Sequence, residues 1–491
     1  MLLSDLLKKI EYHGNITDCE IDHITCDSRE VRESSVFVCI KGFATDGHLF
    51  ASRAYDMGCR VFVCEYRPNS LPDDAQVIIV NSSRLSLALL SCELYKNPSH
   101  ELTVIGITGT KGKTTTALMI KQMLESASIP TGYIGSNGII YKNEHIAPVN
   151  TTPESYKIQQ YMRNMLDCGV KALVMEISSQ ALKYGRVVGI SFDITMFTNL
   201  SPDHIGPSEH DSFEDYLLSK KKLFDDFTAH TVIANADDPY TERMISDSDA
   251  KKVLYSIDTP SDYRASDITL YKDNNTLGMQ FICNTNRGKL SCTLGVPGEF
   301  NVHNALATIA VAKTMNIDNA LIERSLASMC IEGRFEAITA PSGTRFVIDY
   351  AHNGLSLSSA LMALRKYEPD KLICLFGSVG CRTQVRRAQL GQAAMKYADF
   401  SILTSDNPDT ENPQSIIDEI ALQYTDNSKY ISIPDRAEAI KYAFSIAGAN
   451  DIVLLAGKGH EKYQLINGKK IYFCEREILS DLINEVNLIN K

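Results

Sequence analysis

Paired cysteines are missing from this chain. None of its 13 cysteines falls in a C-x-x-C pair; they are scattered, and Cys39, Cys64 and Cys374 lie inside apolar runs. An odd, unpaired set reads as reduced core residues of a cytoplasmic protein. Long apolar runs are missing as well. None approaches the roughly 18 residues that mark a membrane span, so no membrane insertion is expected. Residues 1–10 place Leu2, Leu3, Leu6, Leu7 and Ile10 on one helical stripe opposite Lys8 and Lys9, without a signal-peptide core. A basic excess is absent too. Lys and Arg number 49 against 60 Asp and Glu, leaving a net charge of −11. That balance argues against a nucleic-acid partner; phosphate would be met locally, by loops and single basic residues. Internal repeats and low-complexity tracts are not found. What is present is a 491-residue chain, 44% hydrophobic, enough for about three cores, since single cores rarely exceed ~250 residues.

The chain is organised around residues 103–116. The run Thr103-Val104-Ile105-Gly106-Ile107-Thr108 reads as a buried parallel strand. Gly109-Thr110-Lys111-Gly112-Lys113-Thr114-Thr115 follows as a glycine loop, and 114–126 reads as a helix. Strand, glycine loop and helix form the context of a phosphate-binding loop. Backbone N–H groups and the helix N-terminus supply fixed positive potential, Lys113 a mobile charge and Thr114 a hydroxyl for Mg²⁺. The pattern G-x-x-x-x-G-K-[ST] would want glycine at 107, where Ile107 stands; Gly109 makes the loop tighter.

Residues 1–98 alternate strands (35–40, 60–64, 76–80) with helices in a small α/β domain. Read alone, Ser28 and Arg29 are turn residues. Residues 99–332 contain strands at 103–108, 172–177, 194–198 and 231–235, each ending in polar residues. Ligands of doubly wound sheets sit at such carboxyl ends, which places Glu176, Asp203 and His204 near the nucleotide. The helix at 212–227 carries Lys220, Lys221 and Lys222, usually a solvated face, and position alone does not choose among them. Asn301 and Asn304, spaced i, i+3, either read an adenine edge or cap the helix that follows. Residues 333–491 form a second doubly wound sheet, with strands at 346–349, 371–376, 400–404 and 452–456. The fold class is therefore α/β in three domains: a small α/β domain, a central phosphate-loop domain and a Rossmann-like C-terminal domain.

Taken together, the stretch 108–115, Asn150-Thr-Thr-Pro-Glu154, Glu176-Ile-Ser-Ser179, Thr198-Asn-Leu-Ser-Pro-Asp-His204, the stretch 298–304, Gly333-Arg334, Asp349-Tyr-Ala-His352, Asp406-Asn-Pro408 and Gly457-Lys-Gly-His-Glu461 resemble the Mur ligases. These are ATP-dependent amide-forming enzymes of peptidoglycan precursor synthesis. The resemblance covers nearly the whole chain and is nearest to members that add the third residue of the stem peptide. It implies ATP and Mg²⁺ as cofactors, ATP bound between two domains, and UDP-N-acetylmuramoyl-L-alanyl-D-glutamate as substrate. That substrate's terminal carboxylate would be phosphorylated and the acyl phosphate attacked by a diamino acid. Lys113, Lys220 and His204 become the catalytic residues. Gly109, Thr110, Lys111, Gly112, Lys113, Thr114 and Thr115 take the ATP phosphates, and Asn301, Asn304, Arg334 and Asp349 the adenine and ribose. Thr114, Glu176, His204 and a carbamylated Lys220, with Lys221 as fallback, hold the metal. Ser28, Thr45 in the 42–47 loop, Thr151, Thr152, Ser179, Arg186 and Lys220 bind the UDP-sugar peptide. Arg382, Asp406, Asn407, Asp409, Gly457 and Glu461 bind the amino acid. A monomer is expected.

The chain departs from the family pattern in three places. Asp409 stands where diaminopimelate-adding relatives have Arg, which favours L-lysine over meso-diaminopimelate. Gly354 replaces a usual Pro, implying a looser turn. Gly380-Cys381-Arg382-Thr383 replaces Gly-Asp-Arg-Asp. More remote readings are a folylpolyglutamate synthetase-like ligase, which would not need the first 97 residues, and a catalytically silent nucleotide-binding partner.

Overall fold

Short runs of Val, Ile, Phe and Cys, buried on both faces, build the first sheet. Its strands His23–Thr25, Ser35–Val38, Val61–Cys64 and Gln76–Ile79 lie side by side in chain order and are all parallel, the pattern expected where helices cover both faces. The computed structural model describes residues 1–489 apart from 43–44, 207–208, 274–275 and 382–383. Its chain divides into two units, 1–263 with 307–317 and 264–306 with 318–491.

The N-terminal stripe is helical only over Leu3–Leu6, continuing as a 3-10 turn over Leu7–Lys9. Leu3, Leu6 and Leu7 are buried, but Leu2 is exposed, because the helix starts one residue too late to turn it inward. The cysteines are free, as expected, although Cys168, Cys330 and Cys381 are exposed rather than in the core. Cys39 and Cys64 sit at the ends of adjacent parallel strands, with their sulfurs 3.5 Å apart. Separation along the chain carries no signal for a pairing made across strands.

The larger sheet of the first unit runs Lys251–Ser256, Thr231–Asn235, Ile194–Phe197, Thr103–Thr108, Ala172–Glu176 and Thr131–Gly135, all parallel, and closes with the antiparallel strands Gly138–Tyr141 and Glu144–Ile146. Thr103–Thr108 lies between Ile194–Phe197 and Ala172–Glu176, so the ends of three neighbouring strands open at one place. Apolar residues of one face, Val104, Leu173, Met175 and Phe197 among them, and of the other, Ile105, Ile107, Val174 and Met196, are wholly buried.

The second unit opens in the strand Tyr263–Lys272, followed by a hairpin, Leu277–Thr285 against Gly288–Leu294. Its main sheet has the order Glu336–Thr339, Arg345–Asp349, Ile452–Ala456, Leu372–Phe376, Phe400–Leu403 and Tyr430–Ser432; the first pair is antiparallel and the rest parallel. The turn at Gly354 is not loose. Asn353 and Ser356 form a reciprocal capping box at the start of Gly354–Arg365, and a Cβ at 354 would lie 2.7 Å from the Gln389 Cβ. Helix packing, rather than slack, accounts for the glycine. Among the described residues, no helix is long and apolar enough to cross a membrane.

Candidate functional site

The phosphate loop joins Thr103–Thr108 to the helix Lys113–Ser126. Gly109 and Gly112 have φ of 147° and 83°, backbone that side chains rarely adopt. At Gly109 a Cβ would also overlap the Thr198 hydroxyl. The loop is fastened from the neighbouring strand end: Thr110 N–H donates to the Asn199 carbonyl at 2.8 Å and Lys111 N–H to the Asn199 side chain at 2.9 Å. The Thr110 hydroxyl shares a 3.1 Å bond with the Tyr216 hydroxyl.

Two ammonium groups converge on this loop. Lys113 Nζ donates to the carbonyls of Gly109 at 2.8 Å and Thr110 at 3.1 Å. Lys220 Nζ, reaching in from the helix Phe213–Asp225, donates to the same Gly109 carbonyl at 2.8 Å. Burial, and after it the Lys113 charge, pushes the Lys220 ammonium well below the usual lysine range, since both disfavour the charged form. The other two lysines go elsewhere. Lys221 bonds Asp225 and Asp247, both at 2.6 Å, and Lys222 is exposed.

Thr114, in the first turn of the loop helix, donates to Glu176 Oε2 at 2.9 Å. The other Glu176 oxygen accepts from the Tyr133 hydroxyl at 2.5 Å and from Ser136 N–H at 3.0 Å. A carboxylate and a hydroxyl side by side are hard oxygen donors of the kind Mg²⁺ takes, so these residues fit that ion. Of the four expected metal ligands, Thr114 and Glu176 touch; the other two are held elsewhere. His204 is half exposed, with Nδ1 2.9 Å from Glu209, and Lys220 rests on the Gly109 carbonyl.

The expected substrate-binding residues fall into groups. Thr152 donates to the Glu176 carbonyl at 2.9 Å and accepts from Ser178 N–H. Arg186 reaches the Thr152 carbonyl and pairs with Glu154 at 2.9 Å. Thr151 bonds Ser136 at 3.0 Å. Ser28 is buried and Thr45 exposed, and none of the bonds just given joins either of them to the Thr151–Thr152 group. One residue that sequence reasoning passed over belongs with Ser179. His210, fully buried, bonds the Ser179 hydroxyl through Nε2 at 2.8 Å and Asp215 through Nδ1 at 3.0 Å. Burial lowers its pKa against the pull of Asp215, so the ring is neutral. Asp215 is itself held at about 2, chiefly by its bond to Lys183. His210 lies in a polar stretch with no periodicity, so only its proximity to His204 pointed toward it.

In the second unit, Asn301 donates to the Pro297 carbonyl at 2.7 Å and Asn304 to the Asn301 side chain at 2.8 Å. Both amides thus serve the start of Phe300–Thr314. Asp349, buried, accepts from Phe335 and Ala351 N–H at 2.9 Å. Burial raises its pKa, opposed by Arg334, whose guanidinium lies over the Tyr350 ring.

The residues expected around the amino acid centre on one the sequence reading left out. Lys458, wholly buried, donates to Asn407 Oδ1 and Glu461 Oε2, both at 2.8 Å, and lies 3.6 Å from Asp406. Asn407 also donates to Glu461 at 3.0 Å. A Cβ at Gly457 would meet Asp406 at 2.9 Å. The motif Gly457-Lys-Gly-His-Glu461 contained this cation, but a buried lysine among two acids cannot be told from an exposed one by spacing. Arg382 lies outside the described residues. Asp409 does not bear out its part in the expectation. It has φ 54°, and its carboxylate accepts from Gly468 N–H at 2.7 Å. Its backbone bonds Leu465 and Asn467, at the hairpin Tyr463–Ile466 and Lys469–Tyr472. One oxygen of the carboxylate thus closes a turn.

A glycine loop at the end of a central parallel strand, with lysines over it and a hydroxyl–carboxylate pair beside it, defines a phosphate-handling enzyme of the α/β class. Family comparison is narrower. Residues 20–90 match the Mur ligase family, catalytic domain; residues 107–312 the Mur ligase middle domain; and residues 333–459 the Mur ligase, glutamate ligase domain. The chain belongs to the Mur ligase family, with its three-domain fold, and is an ATP-dependent ligase. It is 37% identical over 99% of its length to the whole of a UDP-N-acetylmuramoyl-L-alanyl-D-glutamate–2,6-diaminopimelate ligase of Clostridium botulinum. Its identity to the enzyme of the same name from Caldanaerobacter subterraneus subsp. tengcongensis is 39%, with 99% of each chain covered. A solved structure of a ligase with that name superposes with a TM-score of 0.70 at 28% identity, covering 95% of both chains.

Proposed function

We propose that this ligase joins meso-diaminopimelate to UDP-N-acetylmuramoyl-L-alanyl-D-glutamate, in the cytoplasm and as a monomer. The observation that carries this reading is the near-complete, 37% identical match to a ligase named for that reaction. The argument for L-lysine rested on the Asp409 carboxylate, and the Gly468 bond, which occupies one of its oxygens, weakens that argument.

The chemistry follows from charge. A carboxylate is a poor electrophile, and both it and ATP are anionic. An oxygen of the D-glutamyl carboxylate attacks the γ-phosphorus and ADP departs, leaving an acyl phosphate. The amine of the amino acid then attacks the acyl carbon, the tetrahedral adduct expels phosphate, and an amide remains. Lys113 neutralises the β/γ-phosphates. Thr114 and Glu176 would hold a Mg²⁺, which when bound supplies charge stabilisation at the transferring phosphoryl group. Lys220, whose ammonium is pushed well below the usual lysine range by burial and then by the Lys113 charge, supplies the amine that adds to CO₂ with loss of a proton. The carbamate so formed gives the site an anion; His204, paired with Glu209 here, would have to leave that partner to join it. Thr151, Thr152, Ser179 and Arg186 take the pyrophosphate and peptide end of the substrate, and Ser28 and Thr45 its uridine. Asn301, Asn304, Arg334 and Asp349 take the adenine and ribose. Arg382, Asp406, Asn407, Gly457 and Glu461 receive the amino acid, with Lys458 setting the charge among them.

Parallel assays with meso-diaminopimelate, L-lysine and L-ornithine test the choice of amino acid. A kcat/KM for diaminopimelate above the other two is expected; a larger value for lysine would overturn it.

A further inference from the structure

We propose that Cys39, His48 and Cys64 form a binding site for a thiophilic divalent cation of the Zn²⁺ class in the first sheet. Among the described residues, these are the only three His, Cys, Asp or Glu side chains whose ligand atoms all lie within 4.8 Å of one another. All three are buried. The two sulfurs are 3.5 Å apart. Zn–S bonds of about 2.3 Å at a tetrahedral angle separate two thiolates by about 3.8 Å, so a small relaxation admits the ion.

The imidazole is what distinguishes this cluster from ordinary cysteine packing. Cys39 and Cys64 close one end of an apolar group with Phe37, Phe62 and Ala54, where a thiol serves as a small hydrophobe. Packing alone needs no histidine. His48 is nonetheless held in one orientation. Its Nδ1 is 2.6 Å from Asp46, its Nε2 accepts from Glu65 N–H at 3.2 Å, and its ring stacks on Tyr66 at 4.1 Å. Tyr66 in turn donates to the other Asp46 oxygen at 2.9 Å. Nε2 therefore carries a lone pair, which Glu65 N–H, next to Cys64, occupies and which passes to the ion when that bond is given up. A carboxylate on the far nitrogen is how proteins fix the tautomer and orientation of a metal-binding histidine. Two thiolates and an imidazole suit Zn²⁺ and not Mg²⁺, and water completes a tetrahedron. Binding releases two thiol protons to solvent and leaves charge balanced at the ion.

Cys39 and His48 bracket residues 40–47, whose base is closed by Gly47 N–H on the Ile40 carbonyl at 2.8 Å. An ion on these ligands ties that base to the neighbouring strand. The site stands whether or not Thr45 contacts a UDP-sugar.

The test uses the full chain, reduced and stripped of metal, titrated with Co²⁺. One equivalent should develop thiolate-to-cobalt charge-transfer absorption, which oxygen ligands at the Mg²⁺ position cannot give, and Zn²⁺ should displace it. The band should vanish in Cys39→Ser and in Cys64→Ser, persist in Cys92→Ser, and require ~10–100-fold more metal in Asp46→Asn. X-ray absorption of the wild-type Zn²⁺ form, independent of any variant, should show two sulfurs and one imidazole. No band in the wild type, a band surviving both cysteine variants, or a Cys39–Cys64 disulfide in place of metal uptake would overturn the proposal.

Discussion

Lys220 and Lys221 are neighbours in sequence with opposite fates. Lys220 is buried against the phosphate loop and its pKa is pushed well below the lysine range; Lys221 feels burial too, but its bonds to two aspartates together outweigh it and raise its pKa. Lys220→Ala should lose most turnover and regain part of it with added short-chain carboxylic acids, which fill the anion's place. Lys221→Ala should stay near wild type. Initial rates decide, and a dead Lys221→Ala beside an active Lys220→Ala would refute the assignment. Lys458 is the matching case in the second unit. Lys458→Met leaves Asp406 and Glu461 without their buried counter-charge, a loss of about 3–5 kcal/mol by comparison with other broken buried pairs. Denaturant unfolding should show this as an earlier transition. A midpoint unchanged from wild type would mean that the two acids find another cation.

Continuous apolar strands were legible, and shorter or more mixed ones were not, even where buried, as at His23–Thr25 and Thr131–Gly135. The strands Thr103–Thr108, Ala172–Glu176 and Ile452–Ala456 are continuous apolar runs because parallel strands meet helices on both sides. The strands Glu144–Ile146 and Lys469–Tyr472 are only three and four residues long, and the last is exposed along its length. Nothing in such short, half-polar stretches stands out from a loop. The site shows the same division. Gly109, Lys113 and Thr114 sit in one local motif and were readable at once. The grouping of Lys458 with Asp406 and Glu461, or of His210 with Ser179, is made by tertiary folding alone. The turn at Gly354 was misjudged because its tightness comes from a capping box and from Gln389 on another helix. Asn353→Ala removes that cap and should destabilise Gly354–Arg365 by about 1 kcal/mol. Hydrogen exchange would register this as faster exchange in the first turn of that helix; unchanged protection there would deny the cap its role.

For the whole molecule, pH acts through buried histidines. His23, His210 and His352 all have pKa values lowered first by burial. Unfolded, each binds a proton near pH 6.5, which the folded state accepts only at lower pH. Their contribution to stability is thus complete above about pH 6.5 and declines as pH falls through that value. Buried Asp349 and Glu475, whose pKa values are raised, act in the opposite sense, so the comparison must isolate one histidine. The melting temperature of His210→Gln should fall less than that of wild type between about pH 7 and 5.5. Equal slopes would contradict the neutral, buried ring.

In the proposed mechanism ATP activates the D-glutamyl carboxylate as an acyl phosphate, and heavy oxygen placed in that carboxylate follows the step. During amide formation the label should pass to inorganic phosphate, one labelled oxygen for each amide made, with ADP as the other product. Unlabelled phosphate, or AMP and pyrophosphate in place of ADP and phosphate, would contradict it.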